Sequence, residues 1–315
     1  MNNNNKKEKK KVKKVLSWIY GGAYLAGDAE GNTSLANEFI QDCHADAVFI
    51  PSYRLAPESN IDGVLWDVCL SFKFLLQKLQ KEQEEEAKQK QKEQVETIEI
   101  VPIGISSGGA LVLRLLQLIR DRKPLIDDII IGMQQTAIVK IDIVGAVLFG
   151  PYIDYRNPLP LSDQSFYQNA QYDYIVNEAV QHYGLPYLDG FIPPTNENED
   201  TDNNENNDNN NNKKNSSSID NTNGRAVYSP ITHDMNDLPP LCLIVSEHEV
   251  TYDMTIEIVN MVRRSQKNSN KATNADVTIG IWKHMCHVFS MLQAFVPEGR
   301  SSIQFAKEWI RTKTN

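Results

Sequence analysis

The sequence predicts an α/β fold, a mostly parallel sheet flanked by helices, and two observations carry that expectation. Strand-like runs alternate with helical patterns along most of the chain, and several of the runs are apolar at nearly every position. A strand apolar on both faces has to be covered on both faces, and in a βα alternation that means a parallel sheet between two layers of helices. At 315 residues the chain can hold one large α/β domain or two smaller ones, with a substantial core in either case.

The elements follow in order. Residues 1–14 are mostly asparagines and lysines with little to bury, and are expected to be a disordered basic tail. Residues 12–20 read as a strand overlapping the end of that tail and closing at Gly21-Gly22. A helix is expected over 33–45 and a strand over 47–53. Val64, Leu65, Val68, Phe72, Leu75, Leu76 and Leu79 recur at helical spacing over 62–78. The charged insert 78–96, rich in Lys, Gln and Glu, either extends that helix into solvent or forms a charged loop. A β-branched strand over 97–103 is followed by a helical pattern over 110–119, and 141–149 reads as one nearly continuous apolar strand. Residues 195–223 are dominated by Asn and Asp, cannot form a packed core, and are expected to be a disordered insert. A strand over 241–245 leads into a helix through Arg264, a last strand covers 276–282, and a helix over 302–311 closes the chain.

Bulk properties narrow the function classes. A net charge of −9 is the wrong sign for a phosphate-binding surface, so no nucleic-acid partner is expected. The four cysteines (Cys43, Cys69, Cys242, Cys286) lack CxxC spacing, and three sit in or beside apolar runs, so buried free thiols are expected and no zinc site. There is no secretory signal and no run of about 18 apolar residues, which predicts a cytoplasmic protein without stable membrane insertion. The lysine-rich tail alone would hold an anionic membrane surface only weakly. The oligomeric state is left open.

The chemistry collects at the expected strand ends, where parallel α/β sheets carry their sites. Gly104-Ile105-Ser106-Ser107-Gly108-Gly109 joins a strand to a helix and sets a serine between glycines two residues away on either side, the arrangement of a nucleophile elbow. Glu247, His248 and Glu249 follow the 241–245 strand, His284 and His287 follow the last strand, and Gly21-Gly22-Ala23 follows the first. A serine hydroxyl needs an adjacent base to become a nucleophile, histidine suits that task near neutral pH, and a carboxylate orients the imidazole.

Four blocks carry a resemblance to a known family: Tyr20-Gly21-Gly22-Ala23-Tyr24-Leu25-Ala26-Gly27, Tyr53-Arg54-Leu55-Ala56-Pro57-Glu58, the serine elbow, and Ser246-Glu247-His248-Glu249 through Asp253 followed by His284-Met285-Cys286-His287. Tyr228-Ser229-Pro230-Ile231 with Leu238-Pro239-Pro240-Leu241 adds a fifth. Together they resemble the hormone-sensitive-lipase-like branch of the α/β-hydrolases, carboxylesterases with a His-Gly-Gly-Gly loop, and the order serine, acid, histidine agrees. The resemblance implies an α/β-hydrolase fold with a small helical cap insertion, here residues 154–192, and one such domain over 15–315. It implies a serine hydrolase that cleaves carboxylic esters of small molecules through an acyl-enzyme, without metal or organic cofactor.

By position, the resemblance makes Ser106 the nucleophile, His287 the base and Glu249 the acid, where the family usually has aspartate. Glu247 falls too early in its block, and Asp253 falls on the family's structural aspartate. The oxyanion loop would be Gly21, Gly22 and Ala23, with Ser107 after the nucleophile. Ala23 replaces a glycine, but the donor is its backbone N–H, so the role survives if the local φ is negative. Tyr20 stands for the loop's usual histidine, Ile105 for an aspartate and His284 for a glycine. Arg54 and Glu58 are expected to stabilise a turn by ion pairing. The cap aromatics Phe166, Tyr167, Tyr172, Tyr174, Tyr183 and Tyr187 are candidates for core or for an apolar substrate wall. The family's N-terminal cap segment and two further strands have no counterpart ahead of Tyr20, which leaves the 47–53 strand as an expected edge. Two alternatives stand beside the esterase: a receptor or pseudoenzyme that binds a small molecule, and an amide hydrolase of arylformamidase type. The filled Ser106, Glu249 and His287 positions favour the enzyme.

Overall fold

The structure, a computed structural model, describes residues 12–90, 96–121, 139–156, 164–175, 228–268 and 276–314. In chain order the elements are β1 (Val12–Ile19), α1 (Ala29–Cys43), β2 (Ala47–Phe49), α2 (Ile61–Lys90), β3 (Glu96–Ile105), α3 (Ser107–Arg120), β4 (Val139–Ile143), β5 (Ala146–Phe149), α4 (Gln164–Gln168), β6 (Leu241–Ser246), α5 (Tyr252–Asn268), β7 (Val277–Trp282) and α6 (Pro297–Lys313). The strands form one sheet in the order β2-β1-β3-β5-β6-β7, with β4 also on β3. Every pairing among the described residues is parallel.

Alternation along the strands divides the core in two. β1 sends Val15 and Ile19 to one face, where they meet Phe72 of α2, Leu111 of α3 and Ile258 of α5. It sends Leu16 and Trp18 to the other, against Phe39 of α1 and Ile303 of α6. β5 divides likewise, Leu148 toward the first layer and Val147 and Phe149 toward the second. A strand with both faces buried reads as a continuous apolar run, which is why the alternation is hidden in the sequence.

Several expected boundaries shift, each for a local reason. Residues 12–14 are strand, not tail: Lys13 pairs with Glu82 at 3.0 Å and the Lys14 N–H donates to Asp46. α1 begins at Ala29, four residues early, because Asp28 caps it by accepting the Gly31 N–H at 2.6 Å. The paired part of the 47–53 strand ends at Phe49, two residues before Pro51, which has no N–H to give a ladder. Among the described residues it stands at the end of the strand order. The expected strand over 141–149 is two, β4 and β5. The chain jogs at Val144-Gly145, where a β-carbon on residue 145 would meet the Trp309 ring at 2.5 Å. α6 starts at Pro297, whose fixed φ suits a first helical turn.

The charged insert continues α2 as far as Lys90, with Leu79 and Gln83 still buried against the core. Of the 154–192 insertion, residues 154–156 and 164–175 are described. Tyr183, Tyr187 and the 195–223 insert lie outside the described residues, as does most of the tail. No helix among the described residues is long and apolar enough to cross a membrane.

Candidate active site

Ser106 sits between β3 and α3 with φ 52° and ψ −119°, a left-handed backbone that costs a non-glycine residue about 1–2 kcal/mol. The neighbouring strand holds it there. Its N–H donates to Phe149 O at 2.8 Å, and its carbonyl accepts from Tyr152 at 3.2 Å and Gly109 at 2.9 Å. The flanking glycines allow close backbone approach: a β-carbon on Gly108 would lie 2.2 Å from Tyr20 O, and one on Gly104 would lie 2.5 Å from Gly109 Cα. The turn thus drives α3 hard against β1 and leaves the serine side chain at the carboxyl end of the sheet.

Two later loops bring their side chains to it. His287 Nε2 is 2.7 Å from Ser106 Oγ, and His287 Nδ1 is 3.1 Å from Glu249 Oε2. Glu249 also accepts from the Ser246 N–H at 3.0 Å and the Thr251 hydroxyl at 3.2 Å. Both side chains are almost wholly buried, Glu249 at 1% and His287 at 3% exposure. Burial pushes the Glu249 carboxyl up, and the His287 ring and the backbone N–H groups that it accepts from pull it back down. An ionised carboxylate can only accept, so Nδ1 carries the proton and Nε2 is left as the acceptor that faces the serine hydroxyl.

The glycine loop lies against the same serine. A β-carbon on Gly21 would come within 3.1 Å of Ser106 Cβ. Gly22 O accepts from Leu25 and Ala26, which closes a tight turn. Among the described residues, the N–H groups of Gly22, Ala23 and Ser107 donate to no protein acceptor. The negative φ set as the condition for Ala23 is not met: Ala23 has φ 53° and Tyr24 φ 66°. The turn demands the left-handed region at both positions, which an alanine adopts at a cost of about 1 kcal/mol or more. Tyr24 anchors the loop by donating its hydroxyl to Ser107 O at 3.1 Å. Tyr20 holds its other end. Its ring stacks on Tyr53 at 4.3 Å, Tyr53 OH donates to Tyr20 O at 2.7 Å, and the Tyr53 N–H donates to Tyr20 OH at 3.4 Å. Ile105 packs into the core beneath the serine.

Other sequence-selected residues have plainer places. Arg54 pairs with Asp67 rather than Glu58, through two contacts of 2.8 Å. Asp253 accepts from the Ser165 N–H at 2.7 Å and donates its own N–H to Ser165 Oγ at 2.9 Å, which ties α4 to α5. Phe166 is core, Tyr172 stacks on His248, and the exposed Tyr174 ring lies 6.1 Å from the His287 ring.

Sequence reading missed three residues. Gly150, at the end of β5, has φ 47°, and a β-carbon there would lie 2.5 Å from Glu249 Oε2. Its signal was present as a glycine closing an apolar strand. Asp173 accepts from the His287 N–H at 3.1 Å and the Val250 N–H at 3.0 Å. Asn169 donates to the carbonyls of Glu247 and Glu249, both at 2.9 Å. These two stand four apart in a segment whose neighbours only the fold reveals.

Comparison with known proteins agrees with this architecture. A profile of the family described as alpha/beta hydrolase fold matches residues 16–291. An acetyl-hydrolase of Streptomyces hygroscopicus is 22% identical over 302 residues, spanning 96% of this chain and 76% of that protein. Among solved structures, an esterase/lipase from an uncultured bacterium superposes with a TM-score of 0.63 at 21% identity, over 95% of this chain and 76% of its own. An esterase from the bacterial hormone-sensitive lipase family does so with a TM-score of 0.63 at 20% identity, over 96% and 77%.

Proposed function

This chain belongs to the alpha/beta hydrolase fold family, and from that premise we propose that it is a carboxylic-ester hydrolase of the hormone-sensitive-lipase type, working through an acyl-enzyme. The observation that carries the reading is the unbroken hydrogen-bonded series from Ser106 Oγ through His287 to Glu249, at 2.7 and 3.1 Å. The esterase names among the solved neighbours support it.

In this reading Ser106 Oγ attacks the ester carbonyl carbon as its proton passes to His287 Nε2. Glu249 holds the imidazole by Nδ1 and stabilises the imidazolium that forms. The carbonyl oxygen becomes an oxyanion and is met by the Gly22, Ala23 and Ser107 N–H groups, each such donor worth about 3–4 kcal/mol in the transition state. The C–O bond to the alcohol breaks, the alcohol leaves with the proton from His287, and the acyl group stays on Ser106. Water then attacks the acyl carbon, giving its proton to His287, and the acid departs as Ser106 recovers its hydrogen. These steps call on side chains, backbone and water, and the substrate is a small acyl ester.

The test is turnover of short-chain p-nitrophenyl esters, paired with labelling by a fluorophosphonate probe. Wild type should hydrolyse the esters and be labelled once, and Ser106→Ala should lose both, its turnover falling by roughly 10³-fold or more. Equal turnover in the two proteins would overturn the assignment. Folded wild type that neither labels nor turns over would point to the receptor alternative. Faster cleavage of aryl amides than of the matched esters would point to an amidase.

A further inference from the structure

We propose that Glu247, His248 and His284 form a binding site for a divalent transition-metal ion of the Zn²⁺ class, at the rim of the candidate active site and separate from it. One ligand atom from each of the three lies within 4.8 Å of the others. Glu247 Oε1 is 3.8 Å from His284 Nδ1, and the two imidazole rings face edge to face at 4.9 Å between centroids. Two imidazoles and a carboxylate are a donor set that suits Zn²⁺, Cu²⁺ or Ni²⁺, whereas Mg²⁺ and Ca²⁺ prefer oxygen alone.

The cluster is prepositioned by features that the hydrolase reading does not use. Tyr172 stacks on His248 at 4.7 Å and fixes the plane of its ring. Ser246 Oγ accepts from the His248 N–H at 3.3 Å and the Met285 N–H at 3.0 Å, so one hydroxyl ties the loop of Glu247 and His248 to the loop of His284. Donors on one tetrahedral zinc lie about 3.4 Å apart, given bonds of about 2.1 Å. From 3.8–4.8 Å the donors therefore close by at most about 1.4 Å, which side-chain rotation supplies, since His284 is 73% and Glu247 34% exposed. His287 and Glu249 stay engaged with one another and are not recruited. A bound ion bridges the two loops that also carry Glu249 and His287, and so favours the folded state by mass action.

The experiment is titration of the full chain with ZnCl₂ by calorimetry and by thermal melting, with MgCl₂ in parallel. Zn²⁺ should raise the melting temperature of wild type, and Mg²⁺ should leave it unchanged. His248→Ala and His284→Gly should each weaken Zn²⁺ binding by at least about tenfold and abolish the shift. His284 has φ 58°, a backbone glycine adopts freely, so His284→Gly should melt no lower than wild type without metal. That separates a lost ligand from a damaged fold. The same Zn²⁺ affinity in wild type and both variants, or no shift in wild type, would overturn the site. Since these readouts are binding and melting, the outcome is independent of whether Ser106 proves to be a nucleophile.

Discussion

A β-carbon has no room at residue 150, because the Glu249 carboxylate lies where it would go, 2.5 Å away. The φ of 47° adds a second demand for glycine at the same position. Gly150→Ala must therefore displace the carboxylate from His287 or strain the end of β5. We expect a stability loss of about 1–3 kcal/mol and a fall in kcat on p-nitrophenyl acetate with little change in KM, read by thermal melting and steady-state kinetics. An unchanged kcat would mean that Glu249 does not need its present position. At this scale the sequence was most legible where chemistry restricts residue type. Ser106 was found from a motif at a strand end, Glu249 and His287 were chosen among strand-end acids and histidines by the family resemblance, and the structure brings all three together. The φ of Ala23 was not legible, because it is set by the two hydrogen bonds that Gly22 O accepts from Leu25 and Ala26 rather than by the residue itself.

The segment from α4 to Ile175 acts as a strap across the two loops that carry Glu249 and His287. Asp173 takes one N–H from each loop, and Asn169 takes two carbonyls of the Glu249 loop. Removing a carboxylate that satisfies these N–H groups costs about 1–3 kcal/mol and frees the loops to move apart. Asp173→Ala should lower kcat by about tenfold, and Asp173→Asn, which keeps one acceptor oxygen, should restore part of it, with fluorophosphonate labelling of Ser106 slowed in the same order. Equal rates in all three proteins would make the strap merely structural. Elements were legible where the apolar pattern was clear, as in α3 and β6. They were misread where a contact hidden in the pattern intervened: the chain jogs between β4 and β5 at Gly145, whose missing β-carbon leaves room for the Trp309 ring, and the Asp28 cap starts α1 ahead of Gly31 and Asn32, which look like loop.

At the scale of the whole molecule, two cores on either side of one sheet take in most of the cysteines. Cys43, Cys69 and Cys242 are buried, and Cys286 is half-buried. Burial pushes the Cys43 thiol up to about 11 and the Cys69 thiol to about 12, and raises Cys242 further still. Since the thiolate is the reactive form, native protein at pH 8 should react with Ellman's reagent at Cys286 first, and all four cysteines should react only in denaturant. Fast native labelling of Cys43 or Cys242 would show that the second core opens. The sequence by itself determined the α/β alternation, the sheet's parallel sense and the candidate residues at the strand ends, because burial pattern and reactive side chains are local properties. Only the tertiary structure decided how the site closes. β1, β3, β5, β6 and β7 are successive neighbours in the sheet, a few ångströms apart. Their carboxyl ends therefore gather residues from distant parts of the chain, together with Gly150 and Asp173, whose roles exist only through the neighbours they meet there.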